Sequence, residues 1–243
     1  MGAADLQGAR VLTFTVYNAL GYANQPALAG TIPLPVLSDA TVTTLNGPCY
    51  IDYEPDTSTA AALETAIGMA LYKLQSYRDQ NPTLKIGFYG LTPWNNFWDI
   101  LNPPGNPTLA SQNALTKPLA DQVDFLFPSL YAPYEYNANA PSWQNDAAAK
   151  WWWYATQSIA MARAIAPSKP LCPFMYPQYL QNPSTVVTAP WDYIDPVTWG
   201  FMLQLVRNSC DGVVLWGGWA GNTQETWDSS AEWWIITQQV LNL

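Results

Sequence analysis

Histidine is absent from all 243 residues of the chain. That excludes a histidine-dependent catalytic triad, a histidine-liganded zinc site and imidazole acid–base chemistry. Proton transfer, if any, falls to carboxylates, tyrosine, lysine or cysteine. Cations are scarce: 9 Lys and Arg stand against 18 Asp and Glu, a formal charge of −9. So few cations neutralise few phosphates, which argues against nucleic acid and against an anionic membrane surface as partners. Cysteine is limited to Cys49, Cys172 and Cys210, far apart and without a C-x-x-C. A zinc or thioredoxin-type site therefore has no support, and buried free thiols are expected. No apolar run of about 18 residues marks a membrane span. The opening MGAADLQGAR does not read as a secretory leader. Neither a G-x-G-x-x-G nor a G-x-x-x-x-G-K-[ST] phosphate loop occurs.

What remains is a globular composition with a neutral surface: 49% hydrophobic, 14% aromatic and only 11% charged residues. A chain this long buries a substantial core. Short β-branched or aromatic runs alternate with longer amphipathic ones. The spacing predicts strands over 11–18, 32–37, 49–54, 85–90, 123–131, 171–176 and 212–217. It predicts helices over 57–80, 144–165, 197–208 and 226–241, the first with Asp56 or Thr57 as N-cap and Asn81-Pro82 as its stop. Residues 102–117, rich in Pro, Asn and Gly, read as a long loop with one short helix. Apolar strands alternating with helices imply a parallel sheet covered on both faces. The expectation is a single α/β domain over 1–243, a distorted TIM-like (β/α) barrel of seven or eight strands, with its active site at the strand C-termini.

The third strand ends in Ile51-Asp52-Tyr53-Glu54. Asp52 and Glu54 stand two apart, so on a strand they share a face roughly 6.5 Å apart. If both are desolvated, one pKa rises, leaving a protonated acid beside an ionised partner. Glycoside hydrolysis uses such a pair. The plainer alternative makes Asp52 a helix cap and leaves Glu54 in solvent. Later strands end in Tyr89, Tyr131, Tyr176 with Tyr179, and Trp216. Tyrosine hydroxyls and tryptophan faces suit a sugar site, although any one of them also suits a core.

Together these segments resemble the hyaluronidase family of glycoside hydrolases. The similar stretches are Thr15-Val16-Tyr17-Asn18-Ala19, Ile51-Asp52-Tyr53-Glu54, Gly87-Phe88-Tyr89-Gly90, Pro128-Ser129-Leu130-Tyr131 and Gly212-Val213-Val214-Leu215-Trp216, in that order. The resemblance implies a retaining, substrate-assisted mechanism without metal or organic cofactor. Glu54 would be the general acid/base, and Asp52 would orient a 2-acetamido group whose carbonyl oxygen attacks the anomeric carbon. Tyr89 and Tyr131 would hydrogen-bond that group, Trp216 would pack beneath it, and Tyr179 and Asn18 would line the site. The family's basic segment after the acid is replaced here by Pro55-Asp56, and three cysteines cannot supply its paired disulfides. With a net charge of −9, the expected substrate is a polysaccharide or glycan less acidic than hyaluronan. A peptidoglycan muramidase of the Asp-x-Glu barrel type is the alternative enzyme. A non-catalytic glycan-binding or structural barrel is the alternative from another class. The expected setting is extracellular or virion-associated.

Overall fold

The structure, a computed structural model, describes residues 48–51, 53–55, 57–95, 97, 100, 107–132, 147–179, 193–216, 219–220, 223–224 and 228–243. The expected strands 11–18 and 32–37, with Asn18, lie outside the described residues, as does Asp52. Contacts divide the chain into two compact units. The first is Leu12–Pro128 with Met161–Pro170; the second is Met1–Val11, Ser129–Ala160 and Leu171–Leu243.

In the first unit, β1 (Pro48–Ile51) pairs in parallel with β2 (Lys85–Phe88), Ile51 opposite Phe88. The crossover between them is α1 (Ala60–Gln80). Its cap is Thr59, whose side chain accepts from the Ala62 amide at 3.1 Å, two residues beyond the expected Thr57. At the other end the Asn81 amide donates to the Tyr77 carbonyl and Pro82 forbids continuation. Leu63, Ala66, Ile67, Ala70, Leu74 and Tyr77 form the buried stripe of α1. Each large aliphatic among them contributes about 1.5–3 kcal/mol by leaving water. A third parallel segment joins β2 through a bridge between Tyr89 and Phe127. It approaches so closely that a Cβ on Gly87 would lie 2.5 Å from the Phe127 ring and 2.6 Å from the Phe125 carbonyl.

Before that segment stands α2 (Pro107–Gln122), where the expectation was a long loop with one short helix over 102–117. Two features hid its length. Pro107 opens the helix, where a missing N–H is harmless, and the buried face mixes Leu109 and Leu119 with Gln112 and Thr116.

The second unit holds α3 (Ala147–Ile165, divided from the first unit after Ala160), β3 (Phe174–Met175) and α4 (Pro196–Ser209). It continues with β4 (Val214–Leu215), a short antiparallel pair β5 (Trp219–Ala220) and β6 (Thr223–Gln224), and α5 (Glu232–Leu241). Strands β3 and β4 are parallel, and Ser129 bridges in parallel to Phe174. Asp195 caps α4 by accepting from the Thr198 amide at 2.9 Å, with Pro196 at the first turn. α4 and α5 pack together, the Trp199 indole donating to Thr237 Oγ1 at 2.9 Å. Of the aromatic run in α3, Trp151 and Tyr154 face inward, their polar atoms donating to the Leu130 and Ser129 carbonyls. Trp152 and Trp153 face outward.

The expected TIM-like barrel of seven or eight strands is corrected by these elements. Among the described residues, five helices dominate, and the parallel sheets are two pairs of strands two to four residues long. Proline accounts for part of the shortfall. Pro128, Pro173 and Pro177 fall in or beside the expected strands 123–131 and 171–176, and none can donate to a ladder. Residues 123–131 accordingly pair only through isolated bridges.

Candidate functional site

Each unit places chain exits from parallel segments side by side. In the first unit Ile51 and Phe88 are the last paired residues of β1 and β2. The Tyr89 amide then donates to the Ile51 carbonyl at 3.0 Å, and the Gly90 amide to the Phe127 carbonyl at 2.9 Å. Tyr89 is thus pinned from both sides just past β2, in the register that follows Ile51. Gly90 turns the chain away at φ 66°, a left-handed conformation that suits glycine. Past β1, Tyr53 is buried and Glu54 is exposed. Alternation along an extended chain produces that contrast: one side chain enters the core and the next reaches solvent. Glu54 and the half-buried Tyr89 therefore leave neighbouring strands at the same end. The proton-sharing argument for the pair depends on Asp52, which lies outside the described residues.

The buried Tyr53 has an unusual neighbour. Lys73 of α1 is 3% exposed, and its Nζ lies 3.9 Å from the centroid of the Tyr53 ring. Burial lowers the Lys73 pKa from 10.5 to about 8. The sequence reading missed this residue, although a signal was present. Lys73 falls on the core stripe of α1, between Ala70 and Tyr77, where an apolar side chain belongs.

The opposite end of β2 is held by charge. Asp124 accepts from the Ile86 amide at 3.0 Å and from Arg78 at 3.0 Å, with Lys85 at 3.4 Å. Burial alone would push the Asp124 carboxyl up, but the Ile86 amide, the Arg78 hydrogen bond and the two cations together bring it below its usual value. The Asp124 amide returns a bond to the Ile86 carbonyl at 2.7 Å. The second unit repeats the exchange: Asp211 accepts from the Leu171 amide at 2.8 Å, and its own amide donates to the Leu171 carbonyl at 2.9 Å. These carboxylates start strands, far from the exits.

In the second unit, Tyr131 follows the Ser129 bridge, Tyr176 follows β3 and Trp216 follows β4. The Tyr131 and Tyr176 rings are 5.6 Å apart at 49°. The Trp216 amide donates to the Met175 carbonyl at 2.9 Å, which sets it beside Tyr176. Tyr131 and Trp216 are half-buried, whereas Tyr176 and Tyr179 are buried. The expected residues thus group by unit, Glu54 with Tyr89 and Tyr131 with Trp216. Tyr179 is largely core, next to a bridge between Gln178 and Tyr193.

Cys49 is buried in β1, and burial pushes its thiol up to about 11, so it is no nucleophile near neutrality. Among the described residues no cluster of three or more Cys, Asp or Glu gathers to hold a metal ion. No described helix is long and apolar enough to cross a membrane. No protein-family model matches the chain, and no curated protein sequence is significantly similar to it.

Proposed function

We propose that the chain is a glycoside hydrolase in which Glu54 is the general acid/base. One observation carries this reading: an exposed carboxylate three residues past β1 and a half-buried tyrosine just past β2 leave adjacent parallel strands at the same end, the Tyr89 amide donating to the Ile51 carbonyl. A carboxyl in that setting can protonate a glycosidic oxygen, and a neighbouring phenol can donate to a hydroxyl or amide of the sugar. The resemblance to hyaluronidases supplies the finer assignment. Asp52 orients a 2-acetamido group, whose carbonyl oxygen attacks the anomeric carbon as Glu54 protonates the leaving oxygen. Glu54 then takes a proton from water, which opens the cyclic intermediate with net retention. The half-buried Tyr131 and Trp216, with the buried Tyr176 ring behind Tyr131, offer aromatic faces of the kind that stack on pyranose rings.

The charge distribution favours a glycan less acidic than hyaluronan. In the first unit Arg78 and Lys85 are engaged by Asp124, Lys117 pairs with Asp121, and Lys73 is buried. Paired or buried in this way, these four cations do not form an open basic groove for a polyanion. Reducing-end release from hyaluronan, chondroitin, chitin oligomers and neutral polysaccharides, at low and high salt, tests this. The proposal expects turnover of an uncharged or weakly charged glycan with little dependence on salt. Rapid, salt-sensitive cleavage of hyaluronan would overturn the substrate assignment.

A further inference from the structure

We infer that Lys73 is a positioning residue for the exit of β1, its ammonium fixing Tyr53 and, through Tyr53, the peptide planes that carry Glu54. The inference rests on the reading of Glu54 as the acid, and deepens it by naming how that end of the strand is held and regulated. Lysine is among the residues least often buried, and this one occupies a core position of α1 with 3% exposure. Among the described residues no carboxylate lies within ion-pair distance of Nζ; what it meets is the face of Tyr53, 3.9 Å from the centroid. A desolvated ammonium over an aromatic face is one of the stronger forms of this contact. Tyr53 is bonded directly to Asp52 on one side and Glu54 on the other. Holding the Tyr53 ring therefore restricts the backbone from which the Glu54 side chain projects.

The clamp depends on the proton. An ammonium is drawn to the ring quadrupole and a neutral amine is not, and Lys73 loses its proton near pH 8 because burial disfavours the charge. Among the described residues Tyr53 at the strand exit and Tyr77 one turn along α1 are ionisable and buried, as is Cys49 in β1. The ionisable groups of α2, Lys117 and Asp121, pair with each other in solvent. At the far end of β2, Asp124 is shared by Arg78 and Lys85. Raising the pH through about 8 should therefore loosen Tyr53 and displace Glu54.

Nuclear magnetic resonance of protein labelled with carbon-13 in lysine and glutamate side chains tests this, with Glu54→Gln assigning the Glu54 signal. The wild type is expected to show Lys73 titrating near pH 8 and the Glu54 carboxyl signal stepping at the same pH. In Lys73→Met and Lys73→Arg that step should vanish. Turnover on the best glycan supplies the second readout. Lys73→Arg should keep activity but lose the alkaline limb near pH 8, and Lys73→Met should lower kcat/KM roughly tenfold at neutral pH. A Glu54 signal indifferent to the titration of Lys73, or an unchanged alkaline limb in Lys73→Arg, would overturn the positioning role. If no glycan is cleaved while the Glu54 step is present, the positioning stands and the acid role of Glu54 falls.

Discussion

At the scale of single residues, the first unit is governed by which polar groups were taken out of water. Lys73 is the clearest case, and its cost has a definite sign with pH. Its pKa falls from 10.5 to about 8 on folding, so below pH 8 folded and unfolded chains both hold the proton and the full cost of burying the charge is present. Between about 8 and 10.5 the unfolded chain keeps a proton that the folded chain has lost, so stability rises with pH across that window. Lys73→Met removes the charge and keeps the packing. It should stabilise the protein at pH 7 by about 1–3 kcal/mol, as read by urea unfolding, and flatten the rise that the wild type shows above pH 8. A Lys73→Met variant less stable than wild type at pH 7 would mean that the ring contact outweighs the desolvation. The residue was visible in the sequence as a charge on an apolar stripe. Its partner was not, because only the fold brings Tyr53 over α1.

The elements show why short motifs were easier to find than to interpret. The G-F-Y-G stretch stood out as a strand end, and both of its glycines have backbone reasons. Gly87 admits the neighbouring segment, where a Cβ would collide with Phe127 and the Phe125 carbonyl, and Gly90 takes φ 66°. Gly87→Ala should cost about 2–3 kcal/mol by forcing β2 and residues 125–127 apart. Gly90→Ala, with open space around it, should cost only about 1–2 kcal/mol for the left-handed backbone. Thermal unfolding of the two variants checks that order, and equal losses would contradict it. Such glycines serve any protein with this close strand approach, so the motif says less about chemistry than its match to a family suggested. α2 was expected only as one short helix within a loop for the converse reason, since Pro107 at its start and polar residues on its buried face imitate a loop. Strand starts carry their own device. Asp124→Asn should lower stability at neutral pH by about 1–2 kcal/mol. The carboxyl is depressed on folding, so its contribution is complete above the unfolded value of 3.8 and is lost as the pH falls through the folded one. Acid titration of the two proteins should therefore converge at low pH, and a constant gap down to strong acid would exclude the mechanism.

At the scale of the whole molecule, the parallel sense of β1 with β2 and of β3 with β4, and their crossovers α1 and α4, were legible, because near-continuous apolar runs between amphipathic stretches leave few other arrangements. Closure was not. Hydrophobic runs say that a segment is buried, but proline decides how much of it can join a ladder, and among the described residues the ladders shrink to pairs and bridges. The candidate site was legible as residue types at chain exits: Glu54 beside Tyr89 in one unit, and Tyr131 with Trp216 in the other. What sequence could not supply was the partner of the buried Tyr53, the Lys73 ammonium of α1 over its ring.

The central claim is that Glu54 donates the proton, and one comparison tests it most directly. Reducing-end release by wild type and Glu54→Gln is measured on whichever glycan the wild type cleaves, with thermal unfolding of both as the control for folding. Glu54 is exposed, so the amide should leave the unfolding temperature within about 2 °C. Turnover should fall by at least about a hundredfold, since only the transferable proton is lost. A folded Glu54→Gln variant that turns over the same glycan at the wild-type rate would contradict the account.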